Sequence, residues 1–414
     1  MPKRFLLQLL SATLAVSANL PFKAKFGNSP APFSIDIDPS FIEETRVKAS
    51  LARIATDLVQ HVPQDGPPVE NITAIKDYWT HNYNWNETQK RLNDNLSQFT
   101  TTIDGAGNYS HPIPLHFVHQ QSSRKDAIPL LFVHGYPGSI IEVERVIDGY
   151  TNPPSNETAF HVVAPSLPGF GFSPAPEYPG LGLRESGQAF HKLMLQLGYN
   201  KYIVHGGDLG SHTVRYMAAD QPESVRALHT NLWYQVPNQQ DMNNFNAKNS
   251  TAEEAFLINV LATFRLTFLG QRQVFENEPL QWAYAQTDSP VGCAAWILTE
   301  LKGGSPSYDW TLDEIITWTM MLYIQGPFGS ARMYKELSDK IHGLASLTTF
   351  TSQWASLSLP NKPEDWARRQ GNIVFFNHYS SGGHFASWDS PTELVADARE
   401  FIKPGTAAWD AYQK

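Results

Sequence analysis

The sequence contains almost no cysteine and no excess of basic residues. Cys293 is the single cysteine, so no disulfide can form within the chain. It lies in the apolar stretch 291–298, which indicates a small core residue. Lys and Arg number 31 against 40 Asp and Glu, and the net charge of −9 provides no basic field for nucleic acid or an anionic lipid surface. We therefore expect no nucleic-acid partner.

Clusters of metal-binding residues are lacking as well. No group of Cys and His residues has the spacing of a zinc site, so we expect no metal and no cofactor. The 414 residues also contain no internal repeat and no low-complexity tract. This length is normal for one large domain that carries an insertion. The oligomeric state stays open.

Long apolar runs are scarce, and one of them lies at the N-terminus. Lys3 and Arg4 precede an apolar run over residues 5–16, which leads into small residues up to Ala18. The run is too short for a permanent transmembrane helix and has the pattern of a secretory signal peptide. We predict that residues 1–18 are removed and that the mature chain starts near Asn19. An N-terminal helix packed on the domain is the alternative.

Six Asn-x-Ser/Thr sequons support entry into the secretory pathway. Each sequon alone is weak, because so short a pattern arises by chance. Their number makes N-glycosylation plausible, with the protein secreted or held in the endoplasmic reticulum lumen. The six asparagines are Asn71, Asn86, Asn95, Asn108, Asn156 and Asn249.

Short apolar runs alternate with helical stretches in the middle of the chain. The runs cover residues 129–134, 160–165 and 202–205, and none of them alternates with polar residues. Such runs indicate strands buried on both faces, as in a parallel sheet. Helical patterns over 183–196 and 211–220 lie between or after them. This order of elements predicts an α/β fold with a mostly parallel sheet.

The flanking segments have a different character. Residues 234–346 are helical in pattern and rich in Trp and Tyr, which predicts an insertion that forms a lid over a pocket. Outside it we expect helices over 43–61, 86–99 and 391–402, an extended segment over 113–119 and a returning buried strand over 372–376. The predicted organisation is a signal peptide (1–18), an N-terminal meander (19–125), the first part of the core (126–233), a helical lid (234–346) and the second part of the core (347–414).

The strongest chemical signal is Gly206-Gly-Asp-Leu-Gly210, between a buried strand and a helix. Glycines on both sides of one residue are typical of the elbow that exposes a nucleophile on a strained turn. Asp208 occupies that position. A carboxylate is ionised at neutral pH and can attack carbon directly, forming an ester. An aspartate that only caps the following helix is the alternative.

Two further motifs supply partners for Asp208. The turn His134-Gly-Tyr-Pro-Gly138 follows a buried strand and can aim the amide of Tyr136 into the site. Together with the amide of Leu209, it predicts an oxyanion hole for a tetrahedral intermediate. His384 lies late in the chain, where the histidine base of such folds is found, and would activate the water that cleaves the ester. The alternatives are an ordinary Pro-Gly turn and a structural histidine.

Taken together, these motifs resemble the microsomal-type epoxide hydrolases, which have the α/β-hydrolase fold and an aspartate nucleophile. The resemblance runs from about Phe33 to the C-terminus and includes the N-terminal meander. It implies that the protein opens an epoxide to a vicinal diol through an aspartyl ester. It also implies that Tyr334 is one of two lid tyrosines that hold and protonate the epoxide oxygen. The matching segments are residues 134–137, 165–173, 206–211, 288–292, 332–336 and 382–385.

Two positions depart from the pattern that the resemblance implies. A gapless count places Gln271 where the second lid tyrosine is expected, and Gln271 cannot deliver a proton. Tyr284 is a possible substitute. The same count places Ser358 at the relay acid that would orient the histidine, with Glu364 and Asp365 as possible replacements.

Two other interpretations remain open. A dehalogenase also uses an aspartate nucleophile, but dehalogenases hold the halide with a Trp directly after it, where this chain has Leu209. A binding or accessory protein with degraded chemistry is suggested by Gln271 and Ser358. The aromatic-rich lid predicts a small apolar epoxide as the substrate, without revealing which one.

Overall fold

The architecture comes from a computed structural model, which describes residues 20–233, 237–267, 269–338, 363–369, 371–377, 379 and 381–414. The predicted signal peptide (residues 1–18) lies outside the described residues. Ser358 and the C-terminal end of the predicted lid also lie outside them. In the part of the chain that is described, no helix is long and apolar enough to span a membrane.

Within the described residues, seven strands form a mixed sheet at the centre of the fold, in the order β1-β2-β3-β5-β4-β6-β7. Strands β4 to β7 are parallel to one another, whereas β1, β2 and β3 form an antiparallel extension that pairs with β5 through β3. The strands are β1 (Ala31–Phe33), β2 (Gln98–Ala106), β3 (Tyr109–Gln120), β4 (Ile128–Val133), β5 (Phe160–Pro165), β6 (Tyr202–Gly206) and β7 (Val225–His229).

The parallel strands are buried on both faces, as their apolar sequences predict. Every residue of β4 and β6 is buried. Helices α6 (Leu183–Gln196) and α7 (Asp208–Asp220) pack against each other beside the sheet. Because successive parallel strands need crossover connections, the carboxyl ends of β4 and β6 meet at one edge of the sheet. The predicted α/β class is therefore confirmed.

Helices surround the sheet before, within and after the parallel part. The N-terminal segment contains α1 (Pro39–Leu51), α2 (Val69–His81) and α3 (Trp85–Asn95). Short helices α4 (Ile141–Glu144) and α5 (Ile147–Thr151) follow β4. After β7 come α8 (Gln239–Asn246), α9 (Ala252–Thr267), α10 (Leu269–Asn277), α11 (Pro279–Asp288), α12 (Pro290–Gly304), α13 (Leu312–Tyr323) and α14 (Phe328–Ser338). The chain ends with α15 (Glu364–Arg368), α16 (Ala386–Asp389), α17 (Pro391–Phe401) and α18 (Ala407–Gln413).

Two predicted helices in the N-terminal segment are too long. The helix predicted over 43–61 ends at Leu51, and the Lys76 ammonium group donates to the Ala52 carbonyl oxygen just beyond it. The helix predicted over 86–99 ends at Asn95, and β2 begins at Gln98. Three consecutive threonines follow, and β-branched residues favour strand over helix.

The strand predicted over residues 372–376 is wrong, since residues 372–377 form neither helix nor strand. The backbone N–H of Ile373 donates to the Gly371 carbonyl oxygen at 3.1 Å. Arg368 donates to the Ile373 carbonyl oxygen at 2.6 Å. These local bonds use the groups that a sheet ladder requires. Sequence reasoning also did not find the short strands β1 and β7.

Candidate active site

Asp208 lies on a sharp turn between β6 and α7, at the edge of the sheet where the parallel strands end. Its φ of 47° is in the left-handed region, which is strained for a residue with a side chain. The glycines nearby allow the chain to pass closely. A Cβ on Gly210 would lie 2.0 Å from the Val133 carbonyl oxygen, and a Cβ on Gly206 would lie 2.4 Å from the Gly210 carbonyl oxygen. The turn has the geometry of a nucleophile elbow.

The Asp208 carboxylate accepts hydrogen bonds from two backbone amides and also faces a histidine. The Tyr136 amide donates to Oδ1 at 2.8 Å, and the Leu209 amide also donates to the carboxylate. Nε2 of His384 lies 3.5 Å from Oδ2. The Asp208 and His384 side chains are 25% and 26% exposed, which leaves space at the pair for a small molecule. The structure thus brings together the predicted nucleophile, base and amides.

Asp208 and His384 stabilise each other's charged forms. Burial opposes ionisation of Asp208, but the hydrogen bond and positive charge of His384 bring the pKa of this carboxyl below its ordinary value. Burial likewise disfavours a charged His384, but Asp208 outweighs it and raises the pKa of the imidazole. The contact therefore favours the ionised carboxylate of Asp208 and the protonated imidazole of His384.

His134 supports the turn that carries the Tyr136 amide. Its Nδ1 bonds to the Gly135 carbonyl oxygen at 2.9 Å, and its Nε2 accepts from the Leu167 amide at 3.1 Å. One nitrogen must therefore donate while the other accepts, which requires the neutral ring. Burial lowers the pKa of His134 to about 4, in agreement with a neutral ring. This residue is part of the predicted motif, but only the contacts reveal its supporting role.

Tyr334 enters the site from α14. Its ring packs edge-on against Tyr136, with 5.6 Å between the ring centroids. No described residue forms a hydrogen bond with its hydroxyl, so the phenol is available to a ligand. Burial, together with the charge of Asp208, raises the pKa of Tyr334 well above 10. The hydroxyl is therefore protonated at neutral pH.

An aromatic cluster continues from Tyr136 into the helices that follow β7. Phe275 contacts the rings of Tyr136 and Tyr334, with centroid distances of 5.4 and 5.3 Å. Trp282 and Trp296 pack on Phe275 at 4.7 and 5.5 Å. The Trp296 indole N–H also donates to the Tyr136 hydroxyl at 3.0 Å. The ligand space beside Asp208 is therefore lined by apolar rings on this side.

Gln271, at the position of the second lid tyrosine, and its possible substitute Tyr284 lie in different surroundings. Tyr284 is 71% exposed on α11, so it cannot take the place of a second acid in the partly buried site, and this hypothesis is wrong. Gln271 lies on α10 and hydrogen-bonds the carboxyl of Glu300, on α12. Sequence reasoning did not single out Glu300. Its only signal was an acidic residue in a largely apolar helix.

The proposed replacements for the relay acid do not contact His384. Glu364 accepts a hydrogen bond from Arg368 at 2.9 Å, and Asp365 is exposed. The hypotheses that Glu364 or Asp365 replaces the relay acid are therefore wrong. Ser358 lies outside the described residues.

A different carboxyl, that of Glu142 on α4, is buried close to Asp208 and His384. It accepts hydrogen bonds from the Gly135 amide and, at 3.4 Å, from the Ser387 hydroxyl. Gly138 makes room for it, because a Cβ there would lie 1.6 Å from Oε1. Burial raises the pKa of Glu142 to about 8, and the charge of His384 opposes this shift.

The described residues contain no group of three or more His, Cys, Asp or Glu side chains that could hold a metal ion. The groups gathered at Asp208 are instead a carboxylate, an imidazole, two amides and a phenol. This set suits nucleophilic attack followed by hydrolysis.

Comparisons with known proteins agree with this geometry. Residues 30–143 match the sequence model of the epoxide hydrolase N terminus, and residues 128–298 match that of the alpha/beta hydrolase fold. Epoxide hydrolase 1 of Sus scrofa is 28% identical over 412 residues, covering 90% of this chain and 88% of that protein. A putative epoxide hydrolase of Stigmatella aurantiaca is also 28% identical, covering 90% and 84%.

Solved structures extend the likeness to three dimensions. The Aspergillus niger epoxide hydrolase superposes with a TM-score of 0.79 at 25% identity, covering 92% of this chain and 98% of that one. The juvenile hormone epoxide hydrolase of Bombyx mori superposes with a TM-score of 0.82 at 25% identity, covering 97% and 99%. The predicted α/β-hydrolase fold is therefore confirmed, and the chain belongs to the microsomal-type epoxide hydrolase family.

Proposed function

We propose that this protein is an epoxide hydrolase that converts an epoxide to a vicinal diol through an ester on Asp208. The observation that carries the proposal is the environment of the Asp208 carboxylate. Two amides donate to it, and His384 Nε2 lies 3.5 Å from Oδ2. Membership of the epoxide hydrolase family supports the same reaction.

Ring opening is the first step. Oδ2 of Asp208 attacks one epoxide carbon, the bond between that carbon and the oxygen breaks, and the oxygen gains a proton from an acid in the site. The Tyr334 hydroxyl has no described hydrogen-bond partner and is suited to donate a hydrogen bond to this oxygen. Oδ1 remains against the Tyr136 amide and becomes the carbonyl oxygen of the ester.

Ester hydrolysis is the second step. His384 takes a proton from a water molecule, and the hydroxide attacks the carbonyl carbon of the ester. The amides of Tyr136 and Leu209 stabilise the oxyanion. The intermediate collapses, and His384 returns the proton to the leaving diol oxygen. Asp208 becomes a carboxylate again, and the proton that it releases restores the acid used in ring opening.

A small apolar epoxide is the class of substrate that the site favours. The rings of Phe275, Trp282, Trp296 and Tyr334 form a continuous cluster beside Tyr136. Apolar surface on the substrate would replace water against these rings, while the epoxide oxygen would find the phenol of Tyr334.

A single turnover in H₂¹⁸O tests the ester mechanism. Excess enzyme is mixed with styrene oxide, and the mass of the tryptic peptide that contains Asp208 is then measured by mass spectrometry. Water attacks the carbonyl carbon of the ester, so ¹⁸O should enter the Asp208 carboxylate before it appears in the diol. Asp208→Asn should form no ester and no diol. Diol formation with the label only in the diol would rule out the ester and favour direct attack by water.

A further inference from the structure

Helix α12 presents one face to the site along two turns. Trp296, Glu300 and Gly304 are four residues apart and therefore share that face. At one end, the Trp296 indole N–H donates to the Tyr136 hydroxyl at 3.0 Å. At the other end, the Gly304 carbonyl oxygen accepts from the His384 amide at 2.8 Å. Glu300 therefore lies between the two ends of the site and faces into it.

The Glu300 carboxyl is partly buried, and no described residue forms an ion pair with it. The side-chain amide of Gln271, on α10, hydrogen-bonds it. A partly buried carboxyl without a cation loses hydration that one amide only partly replaces. Retaining such a group beside a nucleophile is typical of a catalytic acid.

The titratable groups that face Glu300 are those of the reaction itself. Asp208 and His384 both act on the charge of its carboxyl, and the charge of Glu300 in turn acts on Tyr136 and Tyr334. Burial raises the pKa of Glu300 to about 7, although the Gln271 hydrogen bond opposes this. The carboxyl is therefore neutral in a large fraction of molecules at neutral pH.

We propose that Glu300 is a second acid of the site and donates its proton to the epoxide oxygen during ring opening. This inference rests on the proposed function. The proton leaves Glu300 as the bond between Asp208 Oδ2 and carbon forms and the carbon–oxygen bond breaks. Tyr334 keeps its own proton and only donates a hydrogen bond. Glu300 becomes a carboxylate and regains a proton when Asp208 is released from the ester.

The difference in acid strength explains why Glu300 gives up its proton while Tyr334 only donates a hydrogen bond. A proton donor is most effective when its pKa lies near the working pH. Glu300 meets this condition, whereas the pKa of Tyr334 is well above 10. Gln271 cannot lose a proton, but its amide fixes the direction of the Glu300 carboxyl. A glutamine at this position is therefore compatible with rapid ring opening.

The test measures ester formation and ester hydrolysis separately between pH 5.5 and 9. Enzyme in excess is mixed with styrene oxide and quenched with acid, and the ester is quantified by intact mass. In the wild type, ester formation should slow as the pH rises through about 7, because Glu300 loses its proton. Glu300→Gln should slow it at pH 6 by about tenfold to a thousandfold. This variant should also lose the pH dependence and leave ester hydrolysis within about twofold.

Two further variants distinguish the loss of the acid from a change in the structure. Glu300→Asp keeps an acid and should restore part of the rate together with the pH dependence. Glu253→Gln makes the same change at an exposed position on α9 and should behave as the wild type. If Glu300→Gln forms the ester at the wild-type rate with the same pH profile, Glu300 is not the acid, although the proposed function stands. If the wild type forms diol without any ester, both proposals fail.

Discussion

The charges of Asp208 and His384 change together as the proposed reaction proceeds. In the resting pair, Asp208 raises the pKa of His384 and favours the imidazolium. Ester formation removes the negative charge from Asp208, so the same histidine loses its main reason to stay protonated. The imidazolium then releases its proton to solvent, and the neutral imidazole can accept a proton from the attacking water. The electrostatic interaction of Asp208 with His384 therefore determines that ester formation precedes the proton transfer needed for ester hydrolysis.

His384→Gln separates the two steps. Glutamine cannot accept a proton from water, so ring opening should continue while the ester is no longer hydrolysed. We expect one substrate equivalent to accumulate on Asp208 after mixing with styrene oxide, with turnover reduced at least about a thousandfold. Intact mass spectrometry measures the adduct. An inactive variant that stays unmodified while Asp208 is intact would contradict the two-step reaction.

We expect Glu142 to make the stability of the folded protein depend on pH. Its pKa in the folded protein is about 8, above an ordinary value of 4.5. The folded state therefore binds the proton more tightly than the unfolded state does. The stabilisation from this group is complete below about pH 4.5 and is lost as the pH rises through 8.

Glu142→Gln should remove this pH dependence. The neutral amide has nearly the same shape, and it does not lose a proton in the buried position between α4 and α16. We expect the melting temperature to rise by roughly 2 °C at pH 9 and to change little at pH 5. Differential scanning calorimetry at both pH values measures it, with Glu253→Gln as the exposed control. Equal shifts at pH 5 and pH 9 would contradict the raised pKa.

At the scale of elements, the position of α14 depends on a close contact between two glycines. A Cβ on Gly169, in the loop after β5, would lie 2.7 Å from the Gly329 carbonyl carbon. A Cβ on Gly329 would in turn lie 2.8 Å from the Gly169 Cα. Tyr334 follows Gly329 by five residues on the same helix. We therefore expect the contact to influence how closely the phenol approaches Asp208.

Gly169→Ala should move α14 as well as strain the loop. Gly198 is a matched control, because it has the same φ of +87° but nothing within 4 Å of an added Cβ. Gly198→Ala should cost about 1 kcal/mol from backbone strain alone and leave turnover unchanged. Gly169→Ala should cost about 2–4 kcal/mol and slow ester formation. Urea unfolding and single-turnover kinetics measure the two effects. Equal behaviour of the two variants would show that the glycine contact does not position α14.

At the scale of the whole molecule, the exposed surface suits N-glycosylation. All six sequon asparagines are exposed. Asn95 differs from the others because its side-chain amide donates to Glu144 at 3.1 Å, which ties down the group that a glycan would modify. The signal peptide itself stays a prediction, since residues 1–18 lie outside the described part of the chain.

Expression of the full chain in a eukaryotic secretory host tests the predicted location. We expect a mature N-terminus near Asn19 and N-glycans that peptide N-glycosidase removes, with Asn95 the least occupied site. Peptide mass spectrometry measures both. The same chain started at residue 19 should stay in the cytosol without glycans. An intact Met1 on unmodified protein from the secretory host would contradict the prediction.

Local sequence patterns were sufficient for the features that depend on neighbouring residues. The apolar runs predicted β4, β5 and β6, and helix α6 has the bounds expected from its pattern. The glycines around Asp208 predicted its strained turn, because segments of backbone that approach each other closely require glycine at the contact positions. The pattern failed at residues 372–376, where Arg368 bonds the backbone that a strand would use. That competition is not visible in a run of apolar letters.

The sequence alone determined the fold class and the aspartate–histidine pair, whereas only the tertiary structure decided which acids surround that pair. In the sequence, Gln271 occupies the position of the second lid tyrosine and Tyr284 is a possible substitute. In the structure, Gln271 bonds Glu300 and Tyr284 is exposed. Glu142 and Glu300 have no motif of their own. They reach the site because α4 and α12, far apart in the chain, pack beside Asp208 and His384. The pKa of each group depends on burial and on charges from these distant elements, and both arise only when the chain folds.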